Sequence, residues 1–170
     1  MTKIKLKPGD IFLTRNPMAL GKAINWIQRI KSNDNESIYS HAGIITTESG
    51  MTLEALWTIK SQNLFEAYRG AKVMIGRHAD MTKDHYLMGI KAVRPFTGRI
   101  YPFHRLFFHL IPGASKYINS GRFLVCSELV DKFLFESGVE RRNYRGRNPD
   151  HIADMVRDWK KWETVFEGDI

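Results

Sequence analysis

The chain has 170 residues, 43% of them hydrophobic and 26% charged, enough to bury a core without disulfides or a structural metal. Its single cysteine, Cys126, excludes an internal disulfide framework and a four-cysteine zinc site. Twenty-six lysines and arginines against 18 acids give a formal net charge of +8, which favours anionic partners such as phospholipid head groups or wall polymers without naming a function. No repeat, low-complexity tract or polar linker divides the chain, so residues 1–170 read as one domain. The N-terminus runs from lysines into Pro8-Gly9 with no apolar signal segment, and no stretch reaches the length of a membrane span. The expectation is a cytoplasmic protein, or a phage-encoded one exported by another route.

In chain order, residues 5–9 read as a turn and residues 10–14 as a short strand. Leu20, Ala23, Ile24, Ile27 and Ile30 recur at helical spacing, and the polar residues 32–36 end that helix. A β-branched run over 39–47 and a second run over 51–59, separated by Glu48-Ser49-Gly50, predict an antiparallel hairpin. Residues 71–76 form another strand candidate, whereas 86–93 fit strand or helix. Breakers scattered through 97–120 mark an excursion from the core. Within it, Phe103, Leu106, Phe107, Leu110 and Ile111 make an apolar helical stripe flanked by Arg94, Arg99 and Lys116. Such a stripe is ordinary core packing or, if exposed, an element gripping an acyl chain or making peripheral membrane contact. Residues 123–137 give the clearest helix, with Cys126, Leu129, Val130, Phe133 and Leu134 on one stripe and Gly138 as its stop. After the basic turn 141–147, Asn148-Pro149-Asp150 starts a helix carrying Ile152, Met155, Val156 and Trp159. The order of elements predicts an α+β fold.

Cys126 stands near the start of its helix, where the dipole and free N–H groups favour a thiolate and can hold an oxyanion. The alternative is a small core residue. A nucleophilic thiol needs a base, and His41 opens an apolar strand, where propensity by itself favours a structural or surface histidine. Glu54, flanked by Leu53 and Ala55 in the partner strand, is costly there unless it faces solvent or finds a partner such as an imidazole across the hairpin. The spacing of His78, Asp80, Asp84 and His85 matches no ligand motif, so no metal or cofactor is expected. Arg141, Arg142, Arg145 and Arg147 with Tyr144 form a charged turn that supports anionic ligands at most.

Gly9-Asp10-Ile11, Ser40-His41-Ala42-Gly43-Ile44, Glu54-Ala55 and Val125-Cys126-Ser127-Glu128-Leu129-Val130 appear in that order. Together they resemble the YiiX/YaeF-like group, circularly permuted relatives of the NlpC-type cysteine peptidases with a papain-like fold. Lecithin retinol acyltransferase looks like a neighbouring branch. The resemblance implies a permuted papain-like α+β fold with an antiparallel sheet packed on the nucleophile helix. It implies Cys126 as nucleophile, His41 as general base and Glu54 as the residue orienting the imidazole; Glu66 or Glu48 would replace Glu54 in another register. Tyr39, beside the Ser-His pair, and Phe103 and Phe107 in the excursion are candidate substrate contacts. The expected activity is a thiol hydrolase or acyltransferase acting on an amide, ester or thioester in a peptidoglycan peptide or a lipid. The rival is a non-catalytic lipid- or ligand-binding domain on the same frame. Nucleic acid is not expected as a partner.

Overall fold

The computed structural model describes residues 4–15, 39–56, 58–98, 126–141 and 147–170. Six strands form one antiparallel sheet: β1 (Ile11–Thr14), β2 (His41–Ile45), β3 (Thr52–Ala55), β4 (Ile59–Lys60), β5 (Lys72–His78) and β6 (Trp162–Asp169). Their spatial order is β4-β3-β2-β1-β5-β6. Four α-helices are described: α1 (Leu64–Ala67), α2 (Lys83–Val93), α3 (Cys126–Glu136) and α4 (Pro149–Asp158). The class is α+β. Among the described residues no helix is long and apolar enough to cross a membrane.

Both faces of the sheet are covered, so β1 to β3 are buried at every position rather than at alternate ones. Ile11, Leu13, Ala42, Ile44, Leu53, Ala55 and Met74 point into one core with Leu129, Val130 and Phe133 of α3 and Ile152 and Val156 of α4. Phe12, Ile45, Val73 and Ile75 point the other way and pack with Leu6, Leu64 and Tyr68. Helix α4 lies so close to β5 that a Cβ on Gly76 would stand 2.6 Å from Val156 Cγ2.

The predicted turn before β1 is pinned by Asp10. Its buried carboxylate accepts from Lys7 N–H at 2.8 Å and from Arg77 Nε and Nη2 at 2.8 and 2.7 Å. Strands β2 and β3 make the predicted hairpin, with Gly43 opposite Glu54 and Ile44 opposite Leu53. The run 51–59 is shorter as a strand than its composition implies. After Ala55 the chain folds back, Leu56 N–H reaching Thr58 O at 3.1 Å, and Ile59–Lys60 pairs with β3 as a separate strand. The ambiguous segment is helical: Thr82 caps α2 by accepting from His85 N–H, and a sheet-like stretch could not use that cap. Helix α3 carries the five expected residues on its buried stripe, and Gly138 closes it at φ +79°. Helix α4 begins at Pro149 with Asn148 as its cap, but Trp159 is the exposed C-cap just past its last residue and not part of the buried stripe. The helix predicted over 18–30 and most of the 97–120 excursion, including Phe103 and Phe107, lie outside the described residues.

Candidate active site

His41 is the first residue of β2, and Glu54 lies one diagonal step away across the hairpin, opposite Gly43. In antiparallel pairing the side chains of residues 41, 43, 52 and 54 therefore share a face. Gly43 matters here because a Cβ would meet the Phe12 ring at 2.4 Å and Glu54 Cβ at 2.9 Å. Without it, Phe12, His41 and the glutamate could not converge. His41 Nε2–H donates to Glu54 Oε2 at 2.6 Å, and the pair is buried, 2% and 0% exposed. Glu54 thus does not face solvent. Of the three acids considered from the sequence, the structure puts this one behind the imidazole, while Glu48 is exposed.

Helix α3 packs on β2 and β3, and its first described residue, Cys126, comes against the same imidazole. Burial alone pushes His41 down. The Cys126 hydrogen bond, then the Glu54 hydrogen bond and the charges of both, overrule it and carry the imidazole up to about 9. Because Nε2 is engaged by Glu54, Nδ1 is the nitrogen left for the sulfur. For Glu54, burial disfavours the anion, but the His41 hydrogen bond and charge, with hydrogen bonds from Thr52 and Tyr68, hold it below the usual carboxylate range. Cys126 is itself buried, 6% exposed.

Tyr68 is a site residue that sequence reasoning missed. Its hydroxyl donates to Glu54 Oε2, and its ring lies 6.0 Å from the His41 ring and 5.6 Å from that of Phe12. It ends α1, a four-residue helix too short to leave an amphipathic signature, and only the Asn63 cap hints at that helix. Tyr39, a candidate substrate contact in the sequence, is placed as an internal tether. It is fully buried, its hydroxyl donates to Glu167 at 2.8 Å and its N–H donates to Asp150 at 2.9 Å, tying the start of β2 to β6 and α4.

The other polar groups serve local structure. His78 Nδ1 accepts from Asp80 N–H, His85 Nδ1 bonds the Asp80 carbonyl, and the Asp80 carboxylate pairs with Lys161 at 2.6 Å. His78 is buried at the end of β5, not part of a solvated loop. Arg147 is largely buried and faces Asp131 at 3.6 Å instead of forming a solvated patch; Arg142, Tyr144 and Arg145 lie outside the described residues.

No protein-family model matches the sequence, and no curated protein matches it. Among solved structures, the crystal structure of the metalloprotein YiiX from Escherichia coli O157:H7, a DUF1105 protein, superposes with a TM-score of 0.64. The fold is YiiX-like. The similarity covers 98% of this chain and 99% of YiiX at 16% sequence identity. Among the described residues no three His, Cys, Asp or Glu side chains are placed to hold a metal ion. His41 Nε2 and Glu54 Oε2 touch at 2.6 Å, whereas two ligands of one tetrahedral zinc stand roughly 3.4 Å apart. That pair is therefore spaced as a hydrogen bond and not as two ligands of one zinc ion.

Proposed function

We propose that this protein is a cysteine-dependent hydrolase or acyltransferase on a permuted papain-like frame, acting on an amide, ester or thioester. The observation that carries the reading is one buried imidazole with a carboxylate on one ring nitrogen and a thiol against the ring. Structural uses of a histidine do not require a thiol there, whereas nucleophilic catalysis requires this order of groups. In the proposed reaction His41, an imidazolium at neutral pH because its proton affinity is raised to about 9, holds the Cys126 proton on Nδ1 while Sγ forms a bond to the substrate carbonyl carbon. Backbone N–H groups near Cys126 hold the resulting oxyanion. The tetrahedral intermediate collapses to a thioester, and His41 returns the proton to the leaving amine, alcohol or thiol. Water, or an acceptor hydroxyl or amine, then attacks the thioester with His41 as base and regenerates the thiol. Glu54 stays ionised and holds the imidazolium in orientation.

Labelling by iodoacetamide, a small reagent suited to a buried thiol, tests the reading. Cys126 should react near pH 6 more than about tenfold faster than a free thiol, and His41→Ala should remove the advantage. Labelling no faster than a free thiol and indifferent to His41→Ala would instead favour the ligand-binding domain. A panel of peptidoglycan fragments, acyl esters and acyl amides, each compared with Cys126→Ala, then assigns the scissile bond.

A further inference from the structure

We propose that the Tyr68 hydroxyl, together with Thr52, is a positioning group for this site: it fixes the Glu54 carboxylate behind His41 and thereby keeps Nδ1 turned to Cys126. The inference deepens the thiol-hydrolase reading and rests on it for its functional consequence.

Glu54 takes three side-chain donors and has no surface of its own. Oε2 accepts from both His41 Nε2–H and Tyr68 O–H, and Oε1 accepts from Thr52 Oγ1 at 2.6 Å. Thr52 has one hydroxyl proton and two acceptors within reach, Glu54 at 2.6 Å and the Gln62 carbonyl at 3.0 Å. That carbonyl already receives Thr52 N–H at 2.9 Å, so the hydroxyl proton is available to the carboxylate. A carboxylate behind an imidazole must stay ionised and must not rotate, because either failure releases Nε2–H and with it the orientation of the ring. His41 alone cannot do this, since one hydrogen bond leaves the carboxylate free to turn about it. Donors from β3 and from the end of α1 lock it on both oxygens.

The tyrosine ring and its hydroxyl separate cleanly. The ring packs on Phe12 and His41, so Tyr68→Phe preserves that packing and removes only the donor. Two measurements on this variant and on Thr52→Val decide the matter. The first is the carboxyl-carbon NMR titration of Glu54: its midpoint should move up in each variant and further in the double variant. The second is the pH profile of Cys126 labelling: near pH 5 the rate should fall about tenfold in Tyr68→Phe, while at pH 8 it stays within about twofold. A merely structural role would lower the rate at both pH values. A folded Tyr68→Phe whose Glu54 titration and acid limb match wild type overturns the proposal, and Thr52→Val supplies the same decision if Tyr68→Phe does not fold. Should wild-type Cys126 label no faster than a free thiol, the hydrolase reading fails, yet the Glu54 titration still decides what Tyr68 does.

Discussion

His41 concentrates the chemistry of this molecule, and its charge is set by neighbours from two distant segments. Cys126 contributes the largest upward push on its proton affinity and Glu54 the next, against burial, which acts the other way. Cys126→Ala should therefore lower the His41 titration midpoint below about 9, and Glu54→Gln should lower it as well, both read from the imidazole proton shifts. The thiol and the imidazole could each be singled out from composition and order, but their contact joins residues 85 positions apart. Glu54 could be named because an acid between Leu53 and Ala55 needs a reason. Tyr68 could not, since nothing about an aromatic residue after Phe65-Glu66-Ala67 distinguishes a carboxylate donor from a core side chain.

At the level of elements, the predicted hairpin, the α3 stripe and the Asn-Pro start of α4 follow from turn chemistry and periodicity, which are local. The split of the run 51–59 into β3 and β4 was not legible, because Ile59 continues the β-branched pattern after the chain has turned back. Strand β6 went unassigned for a related reason. Its Glu163, Glu167 and Asp169 break any apolar run, yet the strand lies at the sheet edge, pairs with β5 and takes a register shift between Ile75 and Gly76. Two substitutions test the devices that align these strands. Gly43→Ala should destabilise the fold by about 2 kcal/mol, because the added methyl must displace the Phe12 ring. Asp10→Ala should cost about 3 kcal/mol, since it leaves Arg77 and Lys7 N–H without their buried acceptor. Chemical denaturation of each variant reads both values.

Across the whole molecule, two buried groups make stability depend on pH in the same direction. His41 is raised from 6.5 to about 9 in the folded state, so its contribution is complete below pH 6.5 and is lost as pH rises through about 9. Asp131 on α3 is raised from 3.8 to about 7, by burial first and by Glu140 and Glu128, with Arg147 opposing. Its folded form also holds a proton that the unfolded chain has released, so stability falls as pH rises from about 4 through about 7. His78, which burial pushes down, acts the other way as pH rises to about 6.5, so the decline of the denaturation midpoint should be clearest from there to pH 9. Asp131→Asn should flatten the lower part of that decline and Cys126→Ala the upper part; unchanged slopes would refute the assignment.

By itself the sequence determined the α+β class and the individual turns and caps, because each leaves a local signature of spacing or propensity, whereas Cys126, His41 and Glu54 were weak signals singly and stood out together only through ordered motifs that resemble the YiiX/YaeF-like group. Only the tertiary structure decided that Tyr39 is a buried tether, that Glu54 rather than Glu48 backs the imidazole, and that Tyr68 joins it. Those outcomes depend on strand register and on which helix end meets which strand, and such long-range packing is not encoded in any short window of residues.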